Sequence, residues 1–218
     1  MLFRSHLFYE RDDFPAALRY FQQAADIAAA VGDATTEAVA LVGIGTVHRD
    51  CGRFATAIDI LDRAATLAAS TGDRATLATA TYGLGAVQRD HGSLDKAEPL
   101  MRRCVELYQD LSDLRGHGLA VRGLSLVHRA RGELDEAARL GREAHALLVS
   151  AGDERGATYT LQSLAKTRLR QGRFDGLAVE LEAGLEVCRR YQDRFGLALV
   201  TRTLGSVQIG RASCRERV

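Results

Sequence analysis

The chain has no tryptophan, and only two prolines and two methionines among its 218 residues. So little proline leaves few obligatory breaks in a helix, and abundant alanine and leucine favour one. Four scattered cysteines, with no C-x-x-C, give neither a disulfide framework nor a zinc module. Charge of one sign is also missing. Twenty-nine basic and 28 acidic residues leave a formal +1, so nothing general draws the chain to nucleic acid or to an anionic membrane. No apolar run approaches the roughly 20 residues that span a bilayer. The opening Met-Leu-Phe-Arg-Ser-His lacks the apolar centre of a signal peptide, which makes a cytoplasmic location the expectation. What is present, 46% hydrophobic and 26% charged residues, suffices to bury a core.

The last ten residues, 209–218, read Ile-Gly-Arg-Ala-Ser-Cys-Arg-Glu-Arg-Val, which is one reading frame of a common sequencing adapter. They are expected to be a non-native tail and are set apart from the fold. Without them 26 basic and 27 acidic residues remain, a net charge of −1.

Residues 1–208 repeat. Gly52, Gly92, Gly132 and Gly172 stand 40 residues apart, and so do Asp33, Asp73, Asp113, Asp153 and Asp193. A small residue recurs at Gly45, Gly85, Ser125, Ala165 and Gly205, preceded each time by isoleucine or leucine. Between 32–52 and 72–92, eleven positions are identical. Such a period is the mark of a stacked array in which each unit touches only its neighbours.

Within a unit the apolar spacing is helical. Leu94, Ala97, Met101, Cys104 and Leu107 advance by three and four, as do Phe54, Ala57, Leu61, Ala64 and Leu67. The first half of the unit carries Ala80, Leu84 and Val87 on one side. Each unit therefore reads as two helices of about four turns, joined at the periodic glycine, which suits a left-handed helix end. The periodic aspartate suits the N-cap of the next helix. Gly85 and Ala97 fall where paired helices approach most closely. Pro99 is expected to be tolerated with a slight bend. At the start of the chain, Phe14, Ala17, Phe21, Ala24 and Ile27 predict a complete second helix over 14–31. Pro15 lies in its first turn, and Phe8 lies on the inner face of a short preceding helix. At the other end, 194–208 predicts a first helix without a partner. An array opening and closing inside a unit is expected to be a piece of a longer one.

Leu84-Gly85, Gly92, Ala97, Met101 and Cys104 have the relative spacing of the tetratricopeptide-repeat signature, and the other units match in turn. The sequence thus resembles that family over 1–208, with 40 residues per unit where about 34 are usual. The resemblance implies an all-α, right-handed α-solenoid of antiparallel helix pairs, a single array across 1–208. The longer unit resembles the C-terminal arrays of bacterial STAND-type and SARP-type transcription regulators, and also peptide-sensing and scaffold arrays. It implies a non-catalytic protein- or peptide-interaction module, the sensor or scaffold part of a larger bacterial regulatory protein. The alternative is a self-contained receptor for a short signalling peptide. The expected partner is a protein or peptide, another domain of the parent chain included. Membrane and nucleic acid are not expected.

Chemistry-bearing motifs are weak by comparison. Gly43-Ile44-Gly45 and Gly83-Leu84-Gly85 open like a dinucleotide loop, but the third glycine is replaced by His48 and Gln88 and no strand precedes them. Close helix packing explains them better. His48 and His128 share a column two units apart, beyond the reach of one metal, and read as fillers at the edge of the core. Cys104 and Cys188 are equally distant, too far for a disulfide, and read as inert core thiols. Asp12-Asp13 and Glu180/Glu182 have no partnering nucleophile or histidine and read as solvated helix face. No catalytic residue, cofactor or metal site is expected.

The patterned polar feature is arginine. Arg49, Arg89 and Arg129 form one column, and Val42, Tyr82, Arg122, Gln162 and Arg202 a second, with Lys166 and Arg170 nearby. If the units stack as the family's do, both columns look onto the concave surface. The candidate partner-binding residues are therefore Arg49, Tyr82, Arg89, Arg122, Arg129, Gln162 and Lys166. Guanidinium groups there would hold carboxylates in two-toothed fashion. The competing reading is that Asp50 and Asp90 neutralise their neighbours. The family's carboxylate clamp pairs asparagine with lysine, and these columns offer no such asparagine.

Overall fold

The computed structural model describes residues 13–215, with side chains to Gly210, and the described residues form helices and no strand. A first compact unit, ending at Ser112, holds α1 (Phe14–Val31), α2 (Ala34–Asp50), α3 (Phe54–Thr71), α4 (Arg74–Asp90) and α5 (Leu94–Asp110). A second, from Asp113, holds α6 (Leu114–Arg131), α7 (Leu134–Ser150), α8 (Glu154–Arg170), α9 (Leu177–Arg190) and α10 (Arg194–Arg215). The short turns between consecutive helices make them antiparallel hairpins, so each unit is a stretch of α-solenoid. Phe8 and the helix expected before α1 lie outside the described residues, as do 216–218. The backbone of 209–215 continues α10 without a break.

The forty-residue punctuation works at both kinds of turn. Gly32, Gly72 and Gly152 adopt φ of 74°, 71° and 71°, and Gly52, Gly92, Gly132 and Gly172 lie between 72° and 88°. This left-handed conformation lets the following N–H reach back and close the finished helix. Asp73 N donates to Ala68 O at 3.0 Å and Ser93 N to Gln88 O at 2.8 Å. At the first kind of turn the aspartate then opens the next helix. Its carboxylate accepts from the backbone N–H of Thr36, Thr76, Gly116, Gly156 and Gly196, at 2.8–3.0 Å in each case. Ser112 and Gln192 occupy the glycine column and still take φ of 55° and 53°.

Within each unit, first helices of successive hairpins (α2 and α4, α6 and α8, α8 and α10) touch one another, while second helices do not. Two faces of a first helix are consequently packed, and the G-x-G pairs serve one each. A methyl group on Gly43 would lie 2.3 Å from the Phe21 ring of the preceding second helix, and one on Gly45 2.5 Å from Leu61 of its own. Gly83 and Gly85 repeat the arrangement against Leu61 and against Leu100 and Met101. These glycines are spacing elements between helices, as the sequence suggests. Where serine replaces glycine, the buried Ser125 hydroxyl donates to Ala137 O at 2.7 Å.

Two details depart from expectation. Ile27 is 51% exposed, because the inner stripe of α1 runs Ala17, Phe21, Ala24 and Ala28. The closing step is four residues, which keeps the stripe on one side of a 3.6-residue turn. Second, α9 has 14 residues against 17 in α7 and starts three residues late. Leu177, fully buried, stands in the column of Ala57, Ala97 and Ala137. The chain passes through Gly176 at φ 73° immediately before α9 begins.

Candidate functional site

The first-helix faces differ in character between the two units. In the first, Arg49 donates through Nε and Nη2 to Asp50 at 2.9 and 2.8 Å, and Arg89 to Asp90 at 2.9 and 2.7 Å. The pairing is between sequence neighbours, so the charge of both arginines is answered locally. Tyr82 is half-buried on α4. Between α2 and α4 lies an open cavity of about 330 Å³, lined by Phe21, Val39, Val42, Thr46 and Thr79 among others and not by Tyr82. This face is mainly apolar.

The second unit gathers positive charge. Lys166 on α8 has its ammonium held below the usual lysine range, first by burial and then by Arg202 of α10 and Arg129 of α6. Arg129 reaches across to Ser163 O at 3.1 Å, and Arg170 donates to Arg129 O at 2.9 Å. Arg122 is half-buried on α6, and its Nε is buried without a hydrogen-bond partner among the described residues. Three first helices thus bring Arg129, Lys166 and Arg202 within electrostatic reach, with Arg122 on the same column as Arg202. Gln162 is placed differently from the expectation of a surface residue. It is 2% exposed, and its amide donates to Thr203 at 2.7 Å, joining α8 to α10. Arg202, not among the candidate partner-binding residues, joins the cluster through its effect on Lys166.

The remaining polar residues behave structurally. His128 is buried with its ring on Glu133, and His48 is half-buried, its basicity lowered by burial and by Arg53. Burial pushes the Cys104 thiol up to about 12, and Cys188 is buried as well, so both are inert at neutral pH. Asp13 caps α1 through Ala16 N at 3.1 Å. Glu180, read from sequence as solvated, is held by Arg168 at 3.3 Å. That pair borders an outer groove of about 760 Å³ between α7 and α9, floored by Leu161 and Leu164 and widened by Gly184. The signal was in the sequence: Glu180 and Gly184 stand where Ile60 and Ala64 stand earlier. No helix among the described residues is long and apolar enough to cross a membrane.

Residues 36–110 match the tetratricopeptide repeat family. No curated protein matches the chain. Among solved structures, it is similar to a Rap protein complexed with Competence and Sporulation Factor, at 15% identity and a TM-score of 0.83, covering 99% of this chain and 63% of that one. It is similar to the Rap conjugation gene regulator of plasmid pLS20 in complex with the Phr* peptide, at 18% identity and 0.81, covering 99% and 62%. It is also similar to a thermophilic TPR protein of Thermus thermophilus, at 21% and 0.66, covering 95% and 97%. The chain thus spans under two thirds of the two Rap proteins, and at these identities the likeness is one of fold. The family match is confined to 36–110; hairpins of the same build stand on either side of it, so the chain has a helical-hairpin solenoid fold of the tetratricopeptide-repeat type.

Proposed function

We propose that the chain is a non-catalytic module that binds a protein or peptide, and that the first-helix face of its second unit receives an acidic group. The observation that carries this is the cluster of Arg129, Lys166 and Arg202. Lys166 loses basicity to burial and to its cationic neighbours, and the Arg122 Nε is buried without a partner among the described residues. Like charges held together at partial burial cost stability, and a carboxylate between them recovers it through charge-assisted hydrogen bonds. Arg122 stands in the same column as Arg202. In the first unit, Arg49 and Arg89 serve their own aspartates, and the apolar cavity between α2 and α4 supplies contact for a partner, with Tyr82 a half-buried ring on the same helix. A place as sensor or scaffold within a larger bacterial regulatory protein is supported by the 99% cover of this chain on a gene regulator of which it spans 62%.

A second reading, a self-contained receptor for a short signalling peptide, is favoured by the peptide bound in that same neighbour. One titration serves both readings. Hexaglutamate with a free terminal carboxylate is expected to bind saturably, and amidated hexaglutamine is not. Lys166→Met and Arg202→Ala should each weaken binding roughly tenfold, and added salt should weaken it further. Equal binding of the two peptides, or affinity untouched by both substitutions, refutes the site. Binding by the isolated chain favours the receptor. Binding that appears only once further domains are attached favours the scaffold.

A further inference from the structure

The groove between α7 and α9 opens where the repeat is broken. Ile60, Leu100 and Leu140 form an aliphatic, buried or half-buried column on the second helices. In α9 that column holds Glu180, which turns to Arg168. Among the described hairpins, α8 and α9 are the least closely packed, and the floor beside them is left open. Leu41, Thr81 and Val121 are buried in one first-helix column, whereas Leu161, next in that column, is only half-buried. Val149 on the α7 wall is 57% exposed. A hairpin added after α10 would stack on the side of α9 away from α7, so the groove stays open in a longer array.

Charge and apolar surface are ordered along it. The two walls run from Arg142 and Glu180 at one end to Val149 and Val187 at the other, a length of about 10 Å. Leu164, Leu161 and Ala183 lie between. At the first end Arg168 is answered by Glu180, but Arg142 has no ion-pair partner among the described residues. The α7 residues three and four positions from it are Ala138, Arg139, His145 and Ala146, so its own helix supplies no acid. His145 is engaged with Ala157 O at 3.2 Å. At the far end Glu154 is held by Arg190 and Tyr191. One unanswered guanidinium therefore stands at the head of an apolar trough.

We infer that this groove binds a linear aliphatic carboxylate, a small molecule of fatty-acid type, with its head on Arg142 and its chain along Leu164, Leu161 and Val187. The volume of about 760 Å³ lies within the roughly 300–1,000 Å³ of small-molecule sites. The carboxylate gives Arg142 a charge-assisted partner, and the chain removes Leu161 and Val149 from water.

The probe is octanoate, titrated by calorimetry into the intact chain, with octanol as the uncharged control and hydrogen exchange to locate it. Saturable one-to-one binding is expected, with added amide protection on α7, α8 and α9. Octanol should bind roughly tenfold more weakly. Arg142→Gln, at an exposed position, should weaken octanoate binding by a similar factor and leave octanol unchanged. Ala183→Phe, also at an exposed position, fills the trough and should weaken both. Lys166→Met should leave octanoate affinity unchanged, because the cationic cluster lies on the first-helix face; this site and the acidic-group site therefore fail independently. A Kd weaker than about 1 mM, equal affinity for octanoate and octanol, or an affinity unmoved by Arg142→Gln and Ala183→Phe overturns the proposal. A concentration-dependent dimer that excludes octanoate also overturns it, since the groove would then belong to a second copy.

Discussion

Replacing Gly43 with alanine should destabilise the first unit by about 2 kcal/mol, although alanine is the better helix former. The added methyl would lie 2.3 Å from Cε1 of Phe21 and 2.5 Å from Cδ1 and Cζ. Ordinary carbon contacts lie near 3.5–4 Å. Three atoms on one edge of the ring are struck together, so rotation cannot relieve the overlap and the whole side chain must move. Phe21 is 1% exposed and packed with Ala17, Ala24, Ala40 and Ile44, so the ring can yield only towards the α2–α4 cavity it lines. Overpacking of this kind costs about 1–3 kcal/mol, and three simultaneous overlaps place Gly43→Ala near the upper end. Removing a glycine from a helix interior returns about 1 kcal/mol, which leaves the net loss stated. Gly205→Ala is the matched control. Nothing lies within 4 Å of its methyl, so only the helical gain of about 1 kcal/mol remains. Urea unfolding followed by far-UV circular dichroism should separate the two variants by about 3 kcal/mol, a midpoint difference of roughly 1 M or more at the usual urea sensitivity. A Gly43→Ala protein as stable as the parent would refute the packing account of the G-x-G pairs, and so would a destabilised Gly205→Ala.

Ser112→Gly and Gln192→Gly should each raise stability by about 0.5–1 kcal/mol, because both residues sit at positive φ, where a side chain is strained; thermal melts read the shift. Asp153→Ala removes a cap to Gly156 N and should cost about 1 kcal/mol in the second unit. The Asp73 carboxyl is held below its ordinary value by the Thr76 hydroxyl and backbone N–H. Its contribution is therefore complete above the ordinary aspartate pKa and lost as pH falls through the lower folded one. Urea midpoints of the parent and of Asp73→Ala should converge in acid and part at neutral pH. The Lys166 linkage has the same sign but acts in the alkaline range. Its folded pKa lies below the unfolded one, so stability climbs as pH rises between the two, and Lys166→Met should abolish that alkaline gain.

Much of the fold is legible because size, rather than chemistry, repeats. Gly85 and Ala97 announce a close approach, and Asp33 to Asp193 announce caps, because each task admits few residue types. The late start of α9 is harder to see. It goes with Gly176, left-handed at φ 73° where earlier units carry Thr56, Lys96 and Glu136, and a single glycine does not reveal whether it bends or ends a helix. Ile27 leaves the inner stripe because steps of three and of four both fit a helical face, and only the packed neighbour selects between them. At the candidate site the columns are visible in the sequence, but their partners are not. A column does not reveal that Arg49 and Arg89 turn to the adjacent aspartates, that Gln162 turns inward to Thr203, or that Arg202 and Arg129 lie within reach of Lys166. Side-chain direction depends on the opposing helix, which lies 40 residues away in sequence.

The most direct test of an acidic-group site is hydrogen exchange on the chain with and without saturating hexaglutamate. Added protection is expected along the first helices α6, α8 and α10, strongest around Arg129, Lys166 and Arg202, and lost in Lys166→Met. Protection on α7 and α9 instead, or an exchange pattern that the peptide does not change, would contradict it.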